Sequence, residues 1–246
     1  MAESMIALVT GANKGIGLEI VRSLAGHGVT VLLGARDSER RDKATAALRA
    51  DGLDVHPIAL DVTDPATIRA ATAHIDERFG HLDVLVNNAG TSGGVHHPPS
   101  EANLDIVREV FDTNVFGVIR VTNAMLPLLK RSAAGRVINV SSGLGSMTQM
   151  TDADHYVSRL PAQVDYPASK AALNALTVQY ARELREHGIA VNAVAPGLCA
   201  TDFNKELGFP IARTAAEGAA IAVRLATLEG DGPTGGFFDD NGEVPW

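Results

Sequence analysis

A doubly wound α/β fold, in which a parallel sheet is covered by helices on both faces, is predicted by three features of this sequence. Short apolar runs alternate with segments of helical period. Those runs are apolar at nearly every position rather than at alternate ones, as strands buried on both faces are. Glycines and an Asp-Pro pair punctuate the junctions where helices should stop or start.

In order, Ile6 to Thr10 is a strand, Ile16 to His27 a helix with Gly28 just past its end, Val29 to Ala35 a strand, and Ser38 to Ala50 a helix ending near Gly52. Val55 to Val62 is the third strand, and Asp64-Pro65 supplies an N-cap and first-turn proline for a helix running to about Phe79 and Gly80. Leu82 to Asn87 is a strand, Asn103 to Lys130 one long helix, and Arg136 to Ser141 the next strand. A loop-like stretch precedes the helix Tyr166 to His187 and the strand Ile189 to Ala195; a helix at Ala215 to Leu228 and a short strand at Gly235 to Asp239 complete the pattern.

The 246 residues, 46% of them hydrophobic, suit one domain spanning 1–246. A net charge of −8 with no Lys/Arg stripe argues against a nucleic-acid or anionic-membrane surface. Cys199, the lone cysteine, excludes an intramolecular disulfide, and no long apolar run or signal-like start is visible, so a cytoplasmic protein is expected. Segments following strand ends, Thr91 to Ala102, Gly143 to Asp165 and Gly197 to Thr214, are where an open α/β sheet binds ligands.

The first turn reads Thr10-Gly11-Ala12-Asn13-Lys14-Gly15-Ile16-Gly17. Glycine there permits a tight turn and close approach to a pyrophosphate, while the helix start offers unpaired N–H groups to anionic oxygen. A glycine turn alone is weak evidence; lying between a strand and a helix, it meets the condition for a dinucleotide site. Cofactor choice is set at the end of the second strand, where an acid would hold the ribose of NAD and repel the 2′-phosphate of NADP. Ala35-Arg36-Asp37 stands there. Arg36 offers a planar donor fork suited to phosphate and Lys14 a second cation, so NADP(H) is expected; Asp37 as a ribose acid is the competing reading.

Tyr166-Pro-Ala-Ser-Lys170 carries the chemistry. Residues four apart share a helix face, and an ammonium beside a phenol lowers its pKa, equipping it to exchange protons near neutrality. Tyr156 and Tyr180 have leucines at that offset, so Tyr166 alone has the lysine. The strand before it ends in Ser141-Ser142. His96-His97 lacks a third ligand at suitable spacing and Cys199 lacks a histidine partner, so no metal is expected, and Cys199 is read as a packed or semi-exposed thiol.

Thr10-Gly11-xxx-Gly15-Ile16-Gly17 and Asn87-Asn88-Ala89-Gly90 together resemble the motifs of the short-chain dehydrogenase/reductase family, over a stretch from Ala7 to near the C-terminus. The resemblance implies a seven-stranded parallel Rossmann sheet. It also implies that Asp61 and Val62 hold the adenine, that Asn88, with Ala89 and Gly90, helps fix the nucleotide, and that Pro196, Gly197 and Thr201 contact the nicotinamide. Ser142 would bond the substrate carbonyl, with Ser141 the competing assignment, Asn114 would hold a water relay, and Lys170 would also touch the nicotinamide ribose.

Within the family the chain is most similar to carbonyl reductases, through Gly-Ala-Asn-Lys-Gly-Ile-Gly and the tail ending Pro245-Trp246. That implies an NADPH-dependent reductase of ketones or aldehydes, or the reverse oxidation of an alcohol. A non-catalytic dinucleotide sensor or scaffold is the rival class, and it would not need Asn114, Ser142, Tyr166 and Lys170. Ser142 and Tyr166 are 24 residues apart, where common members place about a dozen. The surplus at Thr151 to Val164 resembles the insertion that makes some carbonyl reductases monomers, so a monomer is expected, with a homodimer or homotetramer as alternatives.

Overall fold

The computed structural model describes residues 5–94, 97–207, 210–228, 230 and 232–246. Strands β1 (Ile6–Thr10), β2 (Thr30–Ala35), β3 (Val55–Ala59), β4 (Val84–Asn87), β5 (Arg136–Val140), β6 (Ala190–Val194), β7 (Phe237–Asp239) and β8 (Gly242–Glu243) form one sheet in the order β3-β2-β1-β4-β5-β6-β7-β8. The seven parallel strands expected are present, and the two-residue β8 adds an antiparallel edge through a turn after Asp239.

The helices are α1 (Gly15–Gly26), α2 (Ser38–Ala50), α3 (Pro65–Phe79), α4 (Leu104–Phe111), α5 (Gly117–Leu129), α6 (Met147–Thr151), α7 (Tyr166–Leu184) and α8 (Ala215–Ala226). Successive strand residues point to opposite faces, so β1 supplies both cores. Ala7 and Val9 pack with Ile20 and Leu24 of α1 and Ala222 of α8; Leu8 packs with Ile75 of α3, Met125 of α5 and Leu184 of α7. A fully buried leucine such as Leu8 contributes roughly 1.5–3 kcal/mol.

Local chemistry sets the helix ends. Asp64 accepts from Ala66 N at 2.8 Å with Pro65 in the first turn, and Gly80 closes α3 with φ +74°. β3 stops at Ala59, short of the expected Val62, because its partner β2 ends at Ala35 and no ladder is left to pair with. The helix expected from Asn103 to Lys130 is interrupted by a π turn at Asp112–Phe116. The stretch after β5, expected as a loop, contains α6 and a 3₁₀ turn at Tyr156–Arg159.

A buried polar chain fixes the middle of the sheet to two helices. Asn87 Nδ2 donates to Thr122 Oγ1 at 3.0 Å and to Asn139 Oδ1 at 2.9 Å, and Asn139 Nδ2 donates to Thr177 Oγ1 at 2.9 Å. β4, β5, α5 and α7 are thereby held in one register. The strand order reverses between β1 and β4, which opens a crevice at their C-terminal ends.

Candidate active site

On the nucleotide side of that crevice the backbone is tightly packed. Gly11 has φ +61°, and a Cβ there would lie 2.8 Å from Ala89 Cα; one on Gly17 would lie 2.4 Å from Asn88 Nδ2. Asn88 Nδ2 donates to Thr10 O at 2.9 Å and Gly11 O at 3.1 Å, while Thr10 Oγ1 accepts from Asn88 N and Ala89 N, both at 3.0 Å. Thr10 and Asn88 thus weld the glycine turn to the Asn-Asn-Ala-Gly segment. Gly15 has φ +58° and faces Thr201, whose Cγ2 lies 3.6 Å from a Cβ built there.

A cleft of about 310 Å³ runs over this turn, lined by Gly11, Asn13, Lys14, Arg36, Asp61 and Val62 among others. Ile16 lies beneath it, packed against the core. Arg36 is exposed with no ion pair among the described residues. Asp37, the rival ribose acid, also lines the cleft, and it caps α2 by accepting from Arg40 N at 2.9 Å. Arg40 also lines the cleft, a cation that sequence inspection missed although it lies four residues after Arg36. Lys14 Nζ lies 3.2 Å from Asp202 Oδ2, a contact invisible in the sequence. Asp61 Oδ1 accepts from Thr63 N at 2.9 Å and Thr63 Oγ1 at 2.7 Å, so its carboxylate is held at the cleft wall.

On the chemistry side, Tyr166 opens α7 and Lys170 follows one turn later, with Nζ 5.5 Å from the phenol ring centroid. Asp165 Oδ1 accepts from Tyr166 N at 2.6 Å. Ser141 is buried and donates to Asn174 Oδ1 at 2.6 Å, so it faces the interior. Ser142 is the serine beside the phenol, close enough to pull its pKa down against burial, and its oxygen accepts from Leu144 N at 3.2 Å.

Burial governs the titration of this pair. It pushes the Tyr166 phenol up to about 12, with the Ser142 hydrogen bond pulling the other way, and pushes the Lys170 ammonium down to about 8. Burial is the dominant cause of the phenol's upward shift, and Lys170 is not among its causes. Lys170 Nζ donates to Val140 O at 2.7 Å, which uses one of its three hydrogens.

Asn114 sits fully buried in the π turn, a form of turn frequent at functional sites. It does not bond its own helix. Its Oδ1 accepts from Thr91 N at 2.9 Å, and its Nδ2 donates to Thr91 O at 2.9 Å and Ser169 Oγ at 3.0 Å. Ser169 in turn donates to Tyr166 O at 2.7 Å, so Asn114 ties the chain after β4 to the start of α7. A Cβ on Gly90 would lie 3.2 Å from Asn114 Oδ1 and 3.8 Å from Lys170 Nζ; glycine keeps the approach to the ammonium open.

After β6, Pro196 and Gly197 (φ +76°) begin the segment that ends at Arg213. Arg213 Nε donates to Pro196 O at 2.7 Å, Ala200 N donates back to Arg213 O at 2.7 Å, and the guanidinium pairs with Asp240. Nothing in the sequence pointed to Arg213, since its partners are far along the chain. Cys199 is fully buried, its Sγ 2.4 Å from where a Gly218 Cβ would lie, and burial pushes its thiol pKa up. That is a packed thiol. His96 lies outside the described residues, and among the described residues no group of three His, Cys, Asp or Glu is placed to hold a metal. No helix among the described residues is long and apolar enough to cross a membrane.

A nicotinamide dinucleotide fits these residues. The open glycine turn, the unpaired Arg36 and Gly90 line one cleft across the strand-order reversal, and the buried Lys170 ammonium, with two hydrogens to spare, lies 3.8 Å from where a Gly90 Cβ would be.

Residues 5–210 match the family described as short chain dehydrogenase. Short-chain dehydrogenase/reductase 1 of Saponaria officinalis is 36% identical over 299 aligned positions, spanning 100% of this chain and 97% of the relative. Salutaridine reductase from Papaver somniferum superposes with a TM-score of 0.81 at 32% identity, over 96% of this chain and 99% of that one. The NADPH-bound carbonyl reductase from chicken fatty liver superposes with a TM-score of 0.86 at 30% identity, over 99% and 100%. The chain belongs to the short-chain dehydrogenase/reductase family. It is an oxidoreductase of carbonyl or alcohol substrates, with the nicotinamide dinucleotide typical of that family.

Proposed function

We propose that this protein is an NADPH-dependent reductase of ketones or aldehydes, of carbonyl reductase type. The observation that carries this reading is the convergence of Ser142, Tyr166 and Lys170 beside the glycine-lined cleft, with the phenol protonated across the neutral range. Bound in the cleft, the nicotinamide supplies the hydride. Tyr166 gives its proton to the developing alkoxide, and Ser142, the neighbour whose hydroxyl lowers the phenol pKa, donates to the same oxygen. Lys170 holds the nicotinamide ribose with its spare hydrogens.

Both amide hydrogens of Asn114 are committed to Thr91 and Ser169. Its part in a proton relay therefore runs through its backbone carbonyl in the π turn. Gly11, Asn13, Gly15, Ile16 and Gly17 form the turn over the pyrophosphate, with Lys14 and Arg36 on phosphate. Asp61 and Val62 hold adenine, Asn88, Ala89 and Gly90 fix the nucleotide, and Pro196, Gly197 and Thr201 carry the nicotinamide. A buried lone thiol suits a cytoplasmic setting. The surplus at Thr151 to Val164, which resembles the insertion of monomeric carbonyl reductases, supports a monomer.

Steady-state oxidation of NADPH against a panel of ketones and aldehydes tests the activity, and light scattering after size exclusion tests the monomer. Turnover with NADPH and a mass near that of one 25.7 kDa chain are expected. Tight NADPH binding without turnover of any carbonyl would favour a dinucleotide sensor.

A further inference from the structure

Tyr166, Lys170 and Asn174 stand at successive turns of α7, four residues apart and so on one face of the helix. Tyr166 and Lys170 carry the chemistry. Asn174, 4% exposed, reaches around Ser142 instead. Its Oδ1 accepts from Ser141 Oγ at 2.6 Å and its Nδ2 donates to Gly145 O at 3.0 Å, so one amide holds both the residue before Ser142 and the turn after it. That turn closes back on the serine: Gly145 N donates to Ser142 O at 2.8 Å and Leu144 N to Ser142 Oγ at 3.2 Å. On the strand side, Ser141 N donates to Val194 O at 2.8 Å and Lys170 Nζ to Val140 O at 2.7 Å. Glycine at 145 lets the turn lie directly on α7, since a Cβ there would fall 2.8 Å from the Lys170 carbonyl carbon and 3.0 Å from Asn174 Nδ2.

We infer that Asn174 is a positioning residue for the reduction: by holding Ser141 and Gly145 together it fixes the direction in which Ser142 presents its hydroxyl to the oxygen that Tyr166 protonates. This rests on the reductase reading and deepens it. Ser142 lies in extended backbone (φ −161°, ψ 151°) between the strand end and a 3₁₀ turn, and the backbone anchor of its hydroxyl, Leu144 N, belongs to the turn that Asn174 ties down. The position of the turn therefore sets that of the hydroxyl. The chemistry of the site selects an asparagine. Ser141 offers a donor and Gly145 an acceptor, so the residue between them must accept with one atom and donate with the other. A carboxylate would set oxygen against the Gly145 carbonyl, and an aliphatic side chain would leave both buried groups unpaired. Because Asn174 shares α7 with Tyr166 and Lys170, the acid, the ammonium and the support of the serine move as one body. A displacement of about 1 Å at a reacting group costs up to about 10²-fold in rate.

A double-mutant cycle between Asn174→Ala and Ser142→Ala tests this, on a ketone or aldehyde that the unmodified protein reduces. The readout is the first-order rate of NADPH oxidation in a single turnover, with NADPH-binding sites in excess and the carbonyl saturating, a constant that depends neither on the folded fraction nor on product release. Ser142→Ala alone should lower it about 10²- to 10³-fold, as loss of one donor to the alkoxide does. Asn174→Ala alone should lower it about 10- to 100-fold, with the NADPH dissociation constant within about twofold of the parent. In the Ser142→Ala background the same substitution should cost less than about threefold, because the hydroxyl it positions is gone. If Asn174→Ala is insoluble, Ser141→Ala takes its place in the cycle, cutting the same bracket from the strand side, with an expected loss of about 3- to 10-fold. A rate within about twofold of the parent, or an equal fold-loss in both backgrounds, overturns the positioning role and leaves Asn174 a packing element of α7, with the reductase reading intact. Failure of the unmodified protein to reduce any carbonyl of a wide panel removes that reading and the positioning role with it.

Discussion

The nucleotide wall and the substrate wall of the crevice are held by different kinds of contact. From Thr10 to Gly17 and from Asn87 to Gly90 the chain is fixed by backbone packing and by Asn88, Thr10 and Asn87, whose hydrogen bonds lie within the sheet. Away from the buried Ser146 and the Gly145 backbone packed on Lys170 and Asn174, the segments 143–165 and 197–214 hang on partly exposed side chains: Lys14 on Asp202, Arg213 on Asp240, Thr148 on the tail. A wall built of backbone presents one shape, suited to a cofactor common to many enzymes. A wall held by partly exposed pairs worth about 0–1 kcal/mol each can differ between relatives without disturbing the fold. Tyr166 and Lys170 stand on the seam, on a helix anchored to the first wall through Asn114 and Ser169.

The largest effect is expected at the seam. Tyr166→Phe keeps the ring and its contact with Phe203 but removes the acid, so kcat should fall about 10²- to 10⁴-fold with NADPH affinity nearly unchanged. Fluorescence titration beside steady-state kinetics separates the two; a near-normal rate would assign the proton to another group. Lys170 adds a pH signature. With its pKa near 8 it loses its charge above that pH, while Tyr166, near 12, keeps its proton. The value of kcat/KM for NADPH should therefore decline from about pH 8 upward, and Lys170→Met should abolish that break. The sign for stability is opposite. The unfolded chain holds this proton to a higher pH, so Lys170 costs stability at neutral pH and the cost fades between its folded pKa of about 8 and the ordinary lysine value of 10.5.

Next in size is cofactor choice. Arg36→Ala removes an unpaired guanidinium from the nucleotide wall, and a hydrogen-bonded charge is worth about 1.5–3 kcal/mol. The NADPH-over-NADH ratio of kcat/KM should fall roughly 10- to 100-fold by loss of NADPH affinity alone. A preference for NADH in the unmodified protein would restore Asp37 as the ribose acid, against its role as the cap of α2.

The same substitution made in each wall sharpens the contrast further. Gly17→Ala places a Cβ 2.8 Å from Gly11 O and 2.4 Å from Asn88 Nδ2. That crowding against backbone should outweigh the roughly 1 kcal/mol that alanine gains in a helix, leaving a loss of about 1–3 kcal/mol. Gly143→Ala meets first the end of a flexible side chain, Gln149 Oε1 at 3.0 Å, and should stay within about 0.5 kcal/mol of the parent. Thermal melts decide it, at roughly 2–4 °C per kcal/mol for a chain of this size. Equal shifts would mean the two walls are equally rigid.

This difference also governs what the sequence discloses. Strand runs, glycine spacing and the Tyr166–Lys170 offset are local patterns, so the sheet order, the turn and the chemistry end are legible from residues alone or with the family motifs. What depends on contacts between distant segments is not. By residue type alone Ser141 and Ser142 are equivalent; the family resemblance favours Ser142, and the burial of Ser141 against Asn174 agrees with it. The π turn around Asn114 leaves no periodicity signal in so short a stretch. Arg213 is one arginine among many until its loop closes on Pro196. The direction of the Tyr166 and Lys170 shifts depends on how dry the site is, which no spacing reveals.

The smallest effect belongs to the contact that joins the walls. Lys14 and Asp202 lie 3.2 Å apart with side chains 53% and 47% exposed, so their pairing is screened by solvent and contributes at most about 1 kcal/mol to stability. Asp202→Asn should leave the melting temperature almost unmoved. It should also leave the ammonium of Lys14 undivided for a phosphate in the cleft. Because the pair and a bound phosphate compete for one cation, NADPH should bind more tightly in the variant, by no more than about fivefold at low ionic strength, the ceiling set by the strength of such a pair. Salt distinguishes this from a change in loop shape: at ~1 M, where the screening length is about 3 Å, an electrostatic gain vanishes and a steric one persists. Weaker NADPH binding in Asp202→Asn at every salt concentration would show instead that the pair acts as a latch, drawing the substrate wall onto the nucleotide wall.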